Sequence, residues 1–358
     1  MTANGGAVIT GLGMTTPVGL TAAQSCAAVR AGISAMAELD FSVEIDLVNH
    51  VPVAGCGIPV VTEGYVGLGR SMRLATAALR DLISSARLSA ADLRSASLFL
   101  AVPPATRGGV DSRIPQLLGR RIAQSVGAPH LEARTYTYAE GHAAGARALQ
   151  DALAQVAAGA IELGIVCGVD SLVERETLEF LLAKRRLKTA DQVDGLVPGE
   201  AGACLLLERA SRARARGARA LASIEAASTA TETVTVWSDE PSPATGLSEA
   251  IRGTLDQLTD RGQTARVIVC DLNGESYRAR EFGNAAARVL STIPGPLAVW
   301  HPADCIGDTG AAAFAVSACV AARALANGYA KGDTVLLFGS SDDGLRGSAA
   351  LRRIPAEA

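Results

Sequence analysis

The chain has 358 residues, of which 49% are hydrophobic and 19% are charged, and its formal net charge is -3. This length allows a large buried core, and the slightly acidic balance gives no reason to expect a nucleic-acid ligand. Aromatic residues make up only 4% of the chain and there are 37 glycines, so we expect a core of small aliphatic side chains with many tight turns.

Short apolar segments and Ala-rich amphipathic segments alternate along the whole chain. In the first part we predict strands at 7–11, 96–102, 131–138 and 160–166, with helices at 21–31, 72–87, 114–126, 146–158 and 177–187. In the second part we predict strands at 221–226, 267–273, 298–301, 334–338 and 349–354, with helices at 247–258, 279–290 and 309–326. This alternation favours an α/β protein with mostly parallel sheets covered on both faces.

The cysteines and the apolar segments predict the cellular compartment of the protein. There are seven cysteines, without a CxxC pair, and several lie in apolar strands, which predicts buried thiols in a reducing cytoplasm. The chain starts without a basic region followed by an apolar segment, so we expect no signal peptide. The most apolar segment, 310–326, is rich in Ala rather than Leu, which favours a buried helix over a membrane span.

A sharp turn between a strand and a helix is predicted at Glu140-Gly141-His142-Ala143. Such a turn raises one side chain above a helix N-terminus, where free N–H groups and a partial positive charge are available. Enzymes often place a nucleophile there. In this sequence the raised residue is His142.

The two parts of the chain are similar to each other. Segments 162–170 (ELGIVCGVD) and 333–342 (DTVLLFGSSD) each follow a long Ala-rich helix, and each runs from an acidic residue into Gly and Asp. This weak repeat indicates two similar halves packed together.

Four stretches of the sequence resemble the β-ketoacyl synthases of the thiolase-like family. They are 7–36, with a TP-containing loop, 141–152, 307–313 (GDTGAAA) and, most specifically, 194–220 (DGLVPGEAGACLLLERASRARARGARA). The resemblance implies a thiolase-like five-layer α-β-α-β-α sandwich. Its N-terminal half would be residues 1–210, shortened at about 37–135, and its C-terminal half residues 211–358.

The catalytic residues implied by the resemblance are replaced in this chain. The family condenses acyl chains with a Cys nucleophile and two His residues, and these positions match His142, Asn273 and Asp308. Without Cys no thioester can form at the turn. Without the two His nothing polarises the malonyl carboxylate or the enolate oxygen as the family requires. We therefore expect condensing activity to be absent.

Two interpretations of the replaced site remain open. His142, Asn273 and Asp308 are expected to converge in one pocket, together with Glu140 and Glu275. In the first interpretation Asp308 orients His142 as a general base and Asn273 donates to an oxyanion, which suits hydrolysis or acyl transfer. In the second the pocket is degenerate and filled by hydrogen-bonded polar side chains.

The leading functional hypothesis is a ketosynthase-like protein without condensing activity that acts as a binding or scaffolding partner. One version resembles the chain-length factors of aromatic polyketide systems, which lack the Cys and pair with an active ketosynthase; another is an adaptor or chaperone. The alternative is a thioester or ester hydrolase, or an acyltransferase, that uses His142 and Asp308. A genuine β-ketoacyl synthase is a third hypothesis, disfavoured because no cysteine lies between Cys56 and Cys167.

The expected partners follow from the same resemblance. The family dimerises through a strand beside the nucleophile turn, here within 132–138, so we expect a homodimer or a heterodimer with a ketosynthase or another protein. Acyl carrier protein and acyl-CoA are further candidate partners, whereas no nucleic acid or membrane is expected. His50, His130 and His301 are dispersed, so no metal site is predicted, and we find no cofactor-binding motif.

Overall fold

The computed structural model describes residues 6–44 and 50–355, without the side chains of Glu44 and His50. The start of the chain, where we expect no signal peptide, lies in part outside the described residues. So does the side chain of His50, one of the histidines considered for a metal site.

The described strands form one large sheet and one small hairpin. In chain order they are β1 Ala7–Thr15, β2 Ala37–Glu44, β3 His50–Gly55, β4 Ala96–Ala101, β5 Thr135–Tyr138, β6 Leu163–Ser171, β7 Glu200–Arg209, β8 Ala222–Thr231, β9 Val267–Cys270, β10 Ala298–Trp300, β11 Thr334–Ser340 and β12 Leu345–Arg352. The large sheet has ten strands in the order β10-β9-β11-β12-β8-β1-β7-β6-β4-β5, whereas β2 pairs only with β3.

The large sheet consists of two five-stranded halves with the same topology. The first half has the order β5-β4-β6-β7-β1 and the second β10-β9-β11-β12-β8. In each half the first three strands are parallel and the last two pairings are antiparallel. The halves join where β1 pairs with β8 at Val8↔Ser223 and Ile9↔Ala222. The boundary between residues 210 and 211 stays a prediction.

Helices cover the sheet on its outer faces and fill the space between its halves. They are α1 Ala22–Arg30, α2 Pro59–Thr62, α3 Gly67–Ser85, α4 Ala90–Ser95, α5 Ile114–Ser125, α6 Ala144–Ala158, α7 Arg175–Ala183, α8 Ala210–Ala215, α9 Thr245–Thr259, α10 Ser276–Arg288, α11 Ala303–Ile306 and α12 Ala313–Ala326. Short 3₁₀ helices lie at Pro129–Arg134, Gly141–Ala143, Leu290–Thr292 and Gly310–Ala312.

The packing of these helices creates five layers. Helices α6 and α12 contact strands of both halves, so they form the central layer. Helices α3 and α5 cover the outer face of the first half, and α9 and α10 cover that of the second. The predicted thiolase-like α-β-α-β-α sandwich is confirmed. Among the described residues, no helix has the length and apolar character needed to cross a membrane.

The strand predicted at 131–138 is only half right. Pro129–Arg134 forms a 3₁₀ helix that buries Leu131, and only Thr135–Tyr138 is a strand. Pro129 favours this outcome because its fixed φ suits the first position of a helical turn and its missing N–H is not needed there. The short strand β5 ends the sheet and pairs only with β4.

Two buried glutamates in the stretch 194–220 join the layers of the first half. Glu200 accepts from Arg70 at 2.7 Å and from the backbone N–H of Ile58 at 2.7 Å. Glu208 accepts from Thr10 at 2.5 Å and from Arg216. Buried carboxylates are stable only when such partners satisfy them, so both residues stabilise the framework beneath the site.

Candidate functional site

The turn predicted at His142 is a 3₁₀ turn, Gly141–Ala143, that leads into α6; we call it the first turn. Gly141 has a φ of 76°, a conformation that favours glycine, and the N–H of Ala143 donates to Ser341 Oγ at 2.9 Å. His142 is only 6% exposed. The sequence analysis expected the His142 side chain to be raised above the helix N-terminus, whereas in the structure it is buried.

His142, Asp308 and Asn273 meet in one hydrogen-bonded chain. His142 Nε2 lies 2.8 Å from Asp308 Oδ1, and Asn273 Nδ2 donates to Asp308 Oδ2 at 2.6 Å. Asp308 Oδ1 also accepts from the backbone N–H of Gly310 at 2.8 Å. The three positions that match the family's catalytic residues thus converge, and Asp308 stands at their centre.

Asp308 is held in its ionised form. Burial by itself would raise its pKa, but the electrostatic interactions with His142 and Arg278 and the hydrogen bonds with His142 and Asn273 hold the pKa well below its ordinary value. An ionised carboxylate can only accept a hydrogen bond. The tautomer with its hydrogen on Nε2 therefore fits the contact with Asp308.

The amide of Asn273 is fully engaged inside this network. Its Nδ2 also donates to Glu275 Oε2 at 2.8 Å, and its Oδ1 accepts from the backbone N–H of Glu275 at 3.1 Å. Glu275 is therefore part of the site, as expected from the sequence. Glu140 is not part of it, because its carboxylate lies beside Arg147 at 3.5 Å instead. Burial raises the pKa of Glu140. An Asn273 amide bound to two carboxylates does not offer a free donor to an oxyanion.

A group of charged residues surrounds this chain; we call it the ionic cluster, and the sequence analysis found only Glu275 among its members. Its members are Asp271, Glu275, Arg278, Arg186 and Asp342. Arg186 binds Glu275 at 2.6 Å and Asp342 at 2.7 Å, whereas Arg278 binds Asp271 at 2.8 Å and Asp342 at 3.2 Å. Paired in this way, the buried charges form a fixed polar filling rather than a set of free catalytic groups.

The carboxylates of the ionic cluster differ in their tendency to ionise. Burial would raise the pKa of Asp342, but Arg186 and Arg278 lower it well below the ordinary value. Burial raises the pKa of Asp271 in spite of the nearby Arg278. The signal that could have indicated the cluster was the polar stretch 340–347, which contains Asp342 and Asp343.

A second turn lies opposite the first. It is the 3₁₀ turn Gly310–Ala312, which leads into α12. The N–H of Ala311 donates to Asp170 Oδ2 at 2.9 Å, and both Asp170 oxygens accept from Arg107 at 2.7 Å. Asp170 is 1% exposed. The sequence analysis noted Asp170 only as part of a repeat and did not find its pairing with Arg107.

The loop at Val197–Gly199 positions Asp308 through its backbone. The N–H of Asp308 donates to Val197 O at 2.7 Å, and the N–H of Gly199 donates to Asp308 O at 2.8 Å. A Cβ on Gly199 would collide with the backbone oxygen of Ile306. Glycine is required here because two backbone segments cross in contact.

Little space remains beside the polar chain. The cavity that borders Asp271, Asn273 and Asp308 has a volume of about 10 Å³. A cavity of this size holds about one water molecule, whereas small-molecule sites measure roughly 300 to 1,000 Å³. On the outer side Trp237 lies 5.3 Å from the guanidinium of Arg186, and its Nε1 donates to Asp343 at 3.2 Å.

No described cysteine is placed to act as a nucleophile in place of the Cys that the sequence analysis matched to His142. All seven cysteines are buried and unpaired. Cys270 lines the small cavity, but burial raises its pKa to about 12, so it stays a thiol at neutral pH. Among the described residues no three His, Cys, Asp or Glu side chains come together as a metal site.

Comparison with known proteins places this geometry in context. No protein-family model matches the sequence, and no curated protein is similar to it. Solved structures are similar: the apo complex AntDE:AntF, a type II PKS acyl-carrier protein with its ketosynthase bound to the hexaketide, has a TM-score of 0.79 at 17% identity, covering 98% of this chain and 99% of that one.

Two further structures agree with this match. The ishigamide ketosynthase/chain length factor has a TM-score of 0.78 at 20% identity, covering 99% of this chain and 100% of that one. The ketosynthase from module 6 of the bacillaene synthase of Bacillus subtilis 168 has a TM-score of 0.81 at 12% identity, covering 98% and 72%. The chain therefore has the ketosynthase fold of the thiolase-like β-ketoacyl synthases.

Proposed function

We propose that this protein is a ketosynthase-like binding or scaffolding partner that carries out no condensation. One observation carries the proposal: His142, Asp308 and Asn273 satisfy one another's hydrogen bonds beside a cavity of about 10 Å³. A condensing site needs a nucleophile and room for an acyl chain. Here imidazole replaces the thiol, and the space is filled by bound side chains.

The ionic cluster supports the same proposal. Arg186 and Arg278 each bind two carboxylates, and displacing them to admit an acyl chain would leave buried charges without partners. Such a change costs several kcal/mol per charge. The filled pocket therefore favours a structural role for these residues.

The test is a search for acyl transfer by the full chain. We expect no mass shift in intact-protein mass spectrometry after incubation with acyl-CoA and acyl-carrier-protein donors, and no release of free CoA. A covalent acyl adduct would contradict the proposal and would require another nucleophile. CoA release without an adduct would favour hydrolysis.

The edge strand β5 is the proposed pairing surface. Tyr136 and Thr137 are exposed on this strand, which ends the sheet and leaves one side of its backbone unpaired. The ishigamide ketosynthase/chain length factor is a structure of a related pair. We propose that this chain pairs through β5 with a second copy or a ketosynthase, in a reducing cytoplasm, and that acyl carrier protein is a further partner.

Light scattering combined with size-exclusion chromatography tests the pairing. We expect a dimer for the unaltered chain, alone or with an added ketosynthase, and a monomer for Thr137→Arg. The matched control is Thr259→Arg, at an exposed position at the end of α9. If Thr137→Arg pairs as well as the control, β5 is not the interface.

A hydrolase or acyltransferase is the second candidate, and one observation favours it. The 2.8 Å contact between His142 Nε2 and the ionised Asp308 is the geometry of a base oriented by a carboxylate. If this pair is catalytic, His142→Ala abolishes turnover of an acyl ester while His130→Ala, at an exposed position, leaves it unchanged. Equal rates in both variants would dismiss the dyad.

A further inference from the structure

An open surface cavity of about 400 Å³ lies away from the polar chain, between α1 and the C-terminal end of α12. Ala23, Ala27 and Ala31 form one wall, since residues four apart lie on the same face of a helix. Because these side chains are small, they leave space beside the helix. The volume falls in the range of about 300 to 1,000 Å³ that is typical of small-molecule sites.

Two guanidinium groups also line this cavity, Arg30 from α1 and Arg323 from α12. Arg30 lies 4.2 Å above the ring of Tyr329, a cation–π contact that restrains its side chain. Arg323 comes from α12, and its Nε is buried without a hydrogen-bond partner among the described residues. Asn327 is exposed at the same rim and adds an amide donor. Four polar groups from two helices and the following loop thus face one space.

The positive charges of these arginines have no direct ion-pair partner in the described part of the chain. Neither Arg30 nor Arg323 forms an ion pair with any described carboxylate. Asp81 is close enough to Arg323 to interact with it electrostatically, but its Oδ2 accepts from the N–H groups of Met14 and Ala22 at 3.0 and 2.7 Å.

Tyr329 adds no opposing charge. Burial raises its pKa to about 12, so the phenol is neutral at physiological pH. The cavity therefore combines two cations, neutral donors and a short apolar wall. Arg323 interacts with the Cys26 thiol, but its Nε has no hydrogen-bond partner within the ranges that the structure describes, so this nitrogen is free to donate to a ligand in the cavity.

We propose that this cavity binds a small molecule that carries a phosphate group. Arg presents planar, forked donors that match the oxygens of phosphate, and two such groups suit its double negative charge. The alanine wall leaves space for the carbon part of the molecule. This site is separate from His142 and Asp308, and the inference does not depend on the proposed function.

Isothermal titration calorimetry of the full chain at constant ionic strength tests this site. The probes are inorganic phosphate and glycerol 3-phosphate, with glycerol as the uncharged comparison and acetate as the singly charged carboxylate. We expect both phosphates to bind more tightly than acetate and glycerol not to bind. An absence of phosphate binding, or tighter binding of acetate, would overturn the assignment.

Three variants locate the binding within the chain. Arg323→Gln and Arg30→Gln are each expected to weaken phosphate binding by about tenfold to a hundredfold, because each loses a charged hydrogen-bond donor. Asn327→Asp is expected to weaken it at least as much by repulsion. The matched control, Arg252→Gln at an exposed position on α9, is expected to bind as the unaltered chain does.

The surface variants keep the test independent of folding. Arg30 and Asn327 are exposed, so their replacement leaves the core intact, whereas Arg323 is partly buried. Phosphate affinity that is unchanged in both Arg30→Gln and Asn327→Asp would show that phosphate binds elsewhere, and the proposal would fail.

Discussion

The two turns at the centre of the molecule have the same local structure but different partners. Each starts with a glycine of positive φ, 76° at Gly141 and 51° at Gly310, and each passes through a 3₁₀ turn into an Ala-rich central helix. Their partners come from equivalent strands of the opposite half. Asp170 at the end of β6 binds the second turn, and Ser341, just after β11, binds the first.

The difference between the turns lies in how strongly each is held. At the second turn the acceptor is a buried carboxylate fixed by two hydrogen bonds from Arg107. At the first turn it is a neutral hydroxyl. Charged hydrogen bonds are stronger than neutral ones, and a buried charge cannot lose its partner without a large cost. We infer that the second turn is rigid framework, whereas the first is the position where side chains can change.

The largest expected effect separates the two acceptors. Asp170→Asn leaves Arg107 buried without its counter-charge and is expected to lower the free energy of unfolding by about 3–5 kcal/mol. Ser341→Ala removes one neutral acceptor from the N–H of Ala143 and is expected to cost about 1–3 kcal/mol. Urea unfolding measures both. Equal losses would mean that the charge at the second turn has no special role.

The next effect concerns the glycines. A Cβ on Gly310 would collide with Asp170 Oδ2, whereas the nearest atom to a Cβ on Gly141 is Pro104 Cδ at 3.5 Å, an ordinary contact. We therefore expect Gly141→Ala to cost about 1–2 kcal/mol, from its positive φ alone. Gly310→Ala is expected to cost about 2–5 kcal/mol, because overpacking adds to the same strain.

The same unfolding measurement tests the glycines. Gly283→Ala, where a Cβ would meet nothing within 4 Å, is the control for an unstrained helical position. It is expected to stabilise the chain slightly, since alanine has the higher helix propensity. If Gly310→Ala lowers the free energy of unfolding less than Gly141→Ala does, the second turn is not the more tightly held of the two.

The smallest expected effect concerns Asp308, which links the two turns through His142 and the N–H of Gly310. Because the pKa of Asp308 is lowered in the folded chain, this carboxyl group is protonated at a higher pH in the unfolded chain than in the folded one. Its contribution to stability is therefore complete above the ordinary carboxyl pKa of about 4 and is lost progressively below it. We expect Asp308→Asn to make the loss of stability in acid shallower.

Unfolding by urea between about pH 6 and about pH 3 measures this slope. Asp342, whose pKa is also lowered, still contributes in the variant, so part of the acid dependence remains. The control is Asp256→Asn at an exposed position on α9. If Asp308→Asn and Asp256→Asn show the same acid dependence as the unaltered chain, Asp308 does not stabilise the fold through its charge.

Most of the fold and part of the site could be predicted from the sequence. The alternation of apolar segments and Ala-rich amphipathic segments indicated layers of sheet and helix. The chain positions of His142, Asn273 and Asp308 followed from the motifs around them. The 3₁₀ helix at Pro129–Arg134 was missed because residues 131–134 suit a strand, whereas Pro129 and the buried Leu131 favour a helical turn.

The sequence alone determined the periodicity and the sharp turn at His142, because these depend on neighbours along the chain. Only the tertiary structure decided that Asn273 turns its amide to Asp308 and Glu275, and that Arg186 joins Glu275 and Asp342. Apart from Asn273 and Glu275, these groups are separated by many residues in the chain. Their pairing is set by desolvation and by the exclusion of water, which exist only after the five layers have packed.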